Sequence, residues 1–473
     1  MGIFHVIDRP LWQLSACDLA DAIHNRIVTC TEAANAAIGR VRACNPHLNA
    51  VVDDLSEAAL AEAAELDRTL ARSGPVGPLH GVPITIKENI DQKGYATPNG
   101  VTAFKDIVAP EDSPVVRNLK RAGAIVVGRT NTPEFSFRLT TDNELHGRTF
   151  NPWNDWASAG GSSGGASSAV MAGMCALAHG NDIAGSLRYP ATATGSATIK
   201  PGLGRVPAYN PSATAERGLL AQLMSAQGII AREVRDVRLA MRTLIGYDPR
   251  DPWQVPMPFE GPAPEGRVKI AFTRDSFEFD LHPAVDKALT AARDALIEAG
   301  YEVVEADPPL MQEVATEAAR CLFGEMKVLV EPDIRKYGSA TINAIFDGYF
   351  EYFEPYEGKD LLLGLARRAH YVRQWLLFLA EYPLVLTPFL LTPTYEWDAD
   401  TKGASGVIGT GTYAHSINFL GLPAGNVPAN YNEGLPVGVQ IIGRRFREDM
   451  ILDACEAIER RVGLMCAKLF ERG

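Results

Sequence analysis

Apolar residues recur along this chain at two spacings. In a segment opening at Thr31-Glu32 they fall at Ala34, Ala37, Ile38 and Val41, the stripe of an amphipathic helix. Ser15-Ala16-Cys17-Asp18 has the form of a capping box, with an acid in place of Glu or Gln, and predicts a helix to about Asn25. Residues 59–71, 113–122, 283–299 and 448–462 read as further helices, and a small-residue pattern predicts another over about 166–178. Short apolar runs predict buried strands at 81–86, 124–127, 269–272, 301–304 and 385–388. Residues 91–102, 105–113 and 248–266 read as loops, and 311–384 as helical and rich in aromatic residues. The strand–helix–strand succession over 269–304 predicts an α/β protein.

Composition narrows the function classes. The 473 residues suffice for a large buried core, and 46% apolar with 22% charged residues is the balance of a soluble enzyme. A formal charge of −12 argues against nucleic acid or anionic membrane partners, which need a basic face. The seven cysteines are scattered, with no C-x-x-C pair, so neither a zinc ribbon nor a disulfide framework is expected. Reduced thiols point to a cytoplasmic protein. The start, MGIFHVIDRPLW, lacks a signal-peptide pattern, and Val6 breaks the myristoylation pattern at Gly2. No apolar run of about 18 residues predicts a membrane span.

The chemistry concentrates in 158–201. Gly160-Gly161-Ser162-Ser163-Gly164-Gly165 sets two hydroxyls among glycines, and Asn181-Asp182-Ile183-Ala184-Gly185-Ser186 carries a further serine into Arg188-Tyr189-Pro190. Glycines allow positive φ, and consecutive N–H groups in such a turn form an anion-binding nest. A serine closing that nest has its oxygen beside donors for an oxyanion, the requirement of acyl transfer. Serine needs a base. The strand at 81–86 delivers Lys87, which on its own reads as a solvated charge. Buried in an apolar site, a lysine loses proton affinity and becomes a base near neutral pH.

Taken together, GVPITIK, GGSSGG, the G-x-D-x-A-G-S-x-R-x-P stretch and the following Lys200-Pro201 resemble the amidase signature family. The resemblance covers nearly the whole chain and is most specific at Lys87 and 160–201. It implies a large twisted mixed β-sheet core covered by helices on both faces. It also implies a single domain over 1–473, with a catalytic core at about 75–240 and 405–445 and a variable substrate-pocket or lid region at about 263–400. Lys87 would be the base, Ser162 the bridging serine after a cis peptide, and Ser186 the nucleophile. The N–H groups of Ile183, Ala184, Gly185 and Ser186 would form the oxyanion hole. Ser163, Asp182 and Arg188 would support these groups, the last two by holding the turn rather than touching substrate. Asn131, Phe135, Gly161 and Tyr189 are candidates for substrate contact, with a loop-stabilising hydrogen bond the plainer reading of Asn131. Phe137 is a further candidate for the pocket border.

The implied reaction is hydrolysis of a small-molecule aryl, aliphatic or cyclic amide, with no metal or organic cofactor and a possible homodimer. Three departures stand near the nucleophile: Ala184 for the first glycine of GGS, Gly202 for the threonine after KP, and Thr194-Gly195 for Cys-Gly. His179-Gly180-Asn181-Asp182 with Ala184-Gly185-Ser186 also resembles the 6-aminohexanoate cyclic dimer hydrolase branch. Alternatives are a glutamine-hydrolysing subunit of a tRNA-dependent amidotransferase, an esterase or acyltransferase, and a catalytically silent binding protein on the same scaffold.

Overall fold

The computed structural model describes residues 8–403 and 407–472. The reading of the first residues, Gly2 and Val6 included, lies outside them. Eleven strands form one mixed sheet. In chain order they are β1 Val51–Asp54, β2 Pro83–Lys87, β3 Ile125–Thr130, β4 Leu177–Asp182, β5 Ala197–Lys200, β6 Ala226–Ala231, β7 Lys269–Phe272, β8 Glu302–Glu305, β9 Leu384–Pro388, β10 Ala424–Asn432 and β11 Leu435–Gly443. Their order across the sheet is β1-β3-β2-β4-β6-β5-β10-β11-β9-β7-β8. β2 runs parallel to both β3 and β4, while β4 runs antiparallel to β6.

Alternating side chains feed opposite faces of this sheet. On β6, Ile229 and Ala231 join one core and Ile230 another; on β9, Leu384 and Leu386 point one way and Val385 the other. The first core is closed by the helices Pro114–Arg121, Val234–Leu244, Pro283–Glu298 and Glu448–Val462. The opposite face is closed at one end by Ala16–His24, Cys30–Leu48 and Gly164–Met171. At its other end lie Met311–Leu329, Ala340–Phe353, Gly358–Glu381 and Thr412–Leu420. Both faces of strands such as β2 and β9 are therefore buried, which is why these strands read as continuous apolar runs. Among the described residues no helix is long and apolar enough to cross a membrane.

Three local readings are corrected. The helix expected at 31–32 begins at Cys30, because Thr29 and Glu32 cap it reciprocally. At Ser15 only half of that device forms: its hydroxyl accepts from the Asp18 N–H, while the Asp18 carboxylate pairs with Arg235. The small-residue helix expected over 166–178 is Gly164–Met171 followed by β4. Gly173 at φ +78° ends the helix, and its bare Cα lies against the Trp12 ring, where a Cβ would come within 2.4 Å. The small side chains beyond it then suit a strand buried between β2 and β6.

The Gly164–Met171 helix seats tightly. A Cβ on Gly165 would fall 2.5 Å from the Asn131 backbone nitrogen and 2.8 Å from the Ala50 carbonyl oxygen. Backbone on both sides leaves nowhere to yield. Gly165→Ala is expected to lower unfolding free energy by about 1–3 kcal/mol. Gly348→Ala, on the Ala340–Phe353 helix where a Cβ meets nothing within 4 Å, is expected to raise it by about 1 kcal/mol. Urea melts of the two variants check the contrast; equal effects would refute the packing argument.

Candidate active site

Parallel β2 and β4 pair at Ile84 with Leu177 and Thr85 with Ala178, so their carboxyl ends emerge side by side. β2 ends in Lys87 and β4 in Asn181-Asp182. Ligand sites of open α/β sheets form beyond such ends. Lys87 is wholly buried, and its Nζ lies 2.7 Å from Ser162 Oγ and 2.8 Å from Asn181 Oδ1. Burial pushes its pKa down to about 7, against the opposing pull of Asp182 and Glu88. Asn181 is itself held by Asn89, whose Oδ1 accepts from Asn181 Nδ2 at 2.9 Å.

The Gly161–Ser162 peptide bond is cis. Gly161 lies so close under the 138–140 backbone that a Cβ there would sit 2.4 Å from the Arg138 carbonyl oxygen. The Ser163 N–H donates to the Ser186 carbonyl at 3.2 Å, joining the glycine-rich turn to the turn that carries Ser186. The Ser163 hydroxyl donates to the Asn181 carbonyl at 3.3 Å.

That second turn is built around Asp182. Its carboxylate accepts from the N–H groups of Gly185 (2.6 Å) and Leu187 (3.2 Å). Arg188 grips it with Nε and Nη2, each at 3.0 Å. Burial alone would raise the Asp182 pKa, but the adjacent guanidinium overrides it and holds the group down at about 2. Arg188 also donates to Gln440 Oε1 at 2.8 Å and to Asn418. Gly185 stands at φ +115°, which a side chain would resist, and its Cα faces the Tyr189 ring, where a Cβ would come within 2.4 Å. The strand thus runs through Asp182, and the turn expected at 181–186 occupies 183–187.

One expected oxyanion donor is therefore committed elsewhere: the Gly185 N–H points at Asp182 rather than outward. For the amides of Ile183, Ala184 and Ser186 no acceptor is seen among the described residues. Ser186, Ile183, Ala184 and Tyr189 line one cavity, which is partly open to solvent. Its walls are Phe137 and Leu139, then Leu322, Phe323 and Met326 of Met311–Leu329, and Tyr349 and Phe353 of Ala340–Phe353. The aromatic-rich 311–384 region thus packs between helices and also lines the cavity.

Three expected contacts do not reach the wall. The Asn131 side chain is fully engaged with Gly147, Thr149, Thr132 and Asn143, the loop-stabilising role read as the plainer alternative. Phe135 packs edge-on against Phe104, with ring centroids 5.9 Å apart. Gly161 sits behind the wall, under Arg138 and Leu139. Sequence reasoning missed Asn181 and Asn418. An asparagine near the end of a strand, as Asn181, or within a helix, as Asn418, is a weak signal alone.

The sheet with a buried lysine–serine contact at its carboxyl edge is the framework of an amide hydrolase. Residues 32–452 match the Amidase family, and the chain belongs to it. It is 48% identical over 98% of its length to an indoleacetamide hydrolase of Bradyrhizobium diazoefficiens, of which the match covers 89%. Its fold is similar to a bacterial aryl acylamidase of the amidase signature enzymes, with a TM-score of 0.83 and 28% identity over 98% of this chain and 99% of that one. It is also similar to 6-aminohexanoate cyclic dimer hydrolase complexed with substrate, with a TM-score of 0.82 and 26% identity over 97% and 98% of the two chains. The protein is an amidohydrolase acting on the carbon–nitrogen bond of carboxylic amides.

The buried lysine has a measurable cost. Lys87 binds its proton less tightly folded than unfolded, where the ordinary value is 10.5. Between about pH 7 and that value the unfolded chain holds more protons, so stability rises with pH across the window. Lys87→Met removes this dependence. The variant's unfolding free energy minus that of the wild type is expected to fall as pH rises from 7 to 10, by up to about 1.4 kcal/mol per pH unit. Denaturant melts across that range check the slope; a flat difference would mean that Lys87 titrates normally.

Proposed function

We propose that this amidohydrolase cleaves a small arylacetamide, with indoleacetamide the leading candidate, through an acyl-enzyme on Ser186. The observation that carries the reading is the aromatic cavity opening on Ser186, in a chain 48% identical to an indoleacetamide hydrolase. A flat ring fills an aromatic slot well, and a primary amide leaves only ammonia to depart.

In this reading Lys87 is neutral. Its Nζ accepts the Ser162 hydroxyl proton while one N–H donates to Asn181 Oδ1. Ser162 in turn accepts the proton of Ser186, whose Oγ attacks the amide carbon. The oxyanion is met by the amides of Ile183, Ala184 and Ser186, each good donor worth about 3 kcal/mol. The carbon–nitrogen bond breaks as the proton returns through Ser162 to the leaving nitrogen, and ammonia departs. Water then adds to the acyl-serine by the same relay and frees the carboxylate. Asp182 and Arg188 act as positioning residues for the turn.

Ammonia release from indole-3-acetamide by the wild type is the test. Ser186→Ala and Lys87→Ala are each expected to lower kcat by on the order of 10⁴-fold or more. Because only neutral Lys87 serves as base, log kcat/KM is expected to climb with unit slope below about pH 7 and level off above it. Turnover that survives Ser186→Ala would refute the mechanism, and no turnover of any arylacetamide would refute the substrate class.

A further inference from the structure

The cavity wall is mostly carbon, but one polar side chain on it is set up in a single sense. His415 lies on the Thr412–Leu420 helix, is 8% exposed and lines the same cavity as Ser186. Its Nε2 lies 3.1 Å from the carbonyl oxygen of Ala315. A carbonyl only accepts, so Nε2 carries the hydrogen. Burial holds the imidazole pKa down at about 4, so the ring is neutral at physiological pH and has one N–H. Nδ1 is then a bare lone pair, and no donor to it is seen among the described residues. The other polar groups of the wall differ. Arg138 is paired with Asp142 and Asp400, and the Ser136 hydroxyl is bonded to Asn99 and Asn89. The Tyr349 hydroxyl is buried without a partner among the described residues but can donate as well as accept.

We propose that His415 Nδ1 is the specificity determinant for the acyl half of the substrate, accepting a hydrogen bond from a ring N–H and so selecting an N–H heteroaromatic over its carbon or oxygen isosteres. The inference rests on the arylacetamide reading above and deepens it. A cavity lined by aromatic carbon binds any flat ring of the right size and discriminates poorly among isosteres. An unpaired acceptor on that wall changes this. A ring N–H satisfies it, whereas a ring oxygen faces it with another lone pair, and both are left unpaired. His415 touches neither the scissile bond nor the relay, so it sets which ring enters and not how the amide is cleaved.

The experiment compares indole-3-acetamide with benzofuran-3-acetamide, which replaces the N–H by oxygen at nearly constant shape. Three enzymes are used: wild type, His415→Phe and Tyr349→Phe. The wild type is expected to favour the indole amide in kcat/KM by about tenfold or more. In His415→Phe that ratio is expected to collapse towards one, because indole turnover falls while benzofuran turnover is kept. Tyr349→Phe is expected to keep the ratio. A wild-type ratio of one would overturn the inference without any variant. A ratio that survives His415→Phe, or is lost in Tyr349→Phe instead, would overturn it as well. Equal loss of both substrates in His415→Phe would reduce the residue to a packing role. If the wild type turns over neither amide, it is the arylacetamide reading that fails.

Discussion

Five donors converge on the carboxylate of Asp182: the amides of Gly185 and Leu187, two nitrogens of Arg188 and the side chain of Asn418. A charge buried this deeply is tolerable only when each lone pair is met. The bonds that satisfy it also dictate geometry. Two come from the backbone on either side of Ser186, so neutralising the charge fixes the conformation of the turn. Two more come through Arg188, which opens the next helix and also reaches Gln440 on β11 and the helix bearing Asn418. Strand end, turn, following helix and the far half of the sheet are thereby tied to one point. Removal of the carboxylate would leave Arg188 as an unpaired buried cation, so the anchor and its partner depend on each other.

Lys87 is placed by the opposite logic. Asp182 is held charged by a full set of partners, while Lys87 has two polar neighbours and no direct carboxylate contact among the described residues, so burial lowers its proton affinity. Parallel pairing of β2 with β4 brings the two groups to one edge of the sheet, where Asp182 supplies part of the field that keeps the lysine from falling further. The chain bears the cost of an underprotonated lysine because its environment supports it on every side. Backbone packs against Gly165, Gly161 fits under the 138–140 loop, and Asn89 orients Asn181.

Much of this was legible in the sequence, and the reason differs by element. The helices Cys30–Leu48, Pro283–Glu298 and Glu448–Val462 show their stripes, because a helix on one face of a sheet must keep one polar side. The turns of the site were legible because glycine next to serine at fixed spacing has few other uses. The central strands were not. β4 reads Leu-Ala-His-Gly-Asn-Asp, and its small residues match a helix as well as a strand until Gly173 is recognised as a stop. The direction of the Gly185 amide was equally hidden. Four consecutive N–H groups look equivalent in sequence, and only the folded turn reveals that Asp182 claims one of them. The cavity was hardest, since its wall draws on residues from 136 to 415 that share no local pattern.

In the proposed mechanism, chemistry and recognition come from different parts of the fold. Lys87, Ser162, Asp182 and Ser186 belong to strand ends and the turns locked to them, where a shift of less than an ångström would break several buried bonds together. The aromatic part of the cavity wall draws on Met311–Leu329 and Ala340–Phe353, helices that pack against each other through aromatic rings. Phe323 lies over Phe353 with ring centroids 5.0 Å apart, and Phe346 meets Phe350 edge to face at 4.4 Å. Apolar packing of this kind is non-directional and tolerates volume-conserving exchange far better than a buried ion pair does. The Thr412–Leu420 helix joins the two regimes. Asn418 and the Ala414 carbonyl bind the Arg188–Asp182 pair on one side, and His415 turns to the cavity on the other. A substitution on the Met311–Leu329 or Ala340–Phe353 helices can therefore reshape what the site admits while the turn at Ser186 keeps its bonds. On Thr412–Leu420 the same change must spare one face to alter the other.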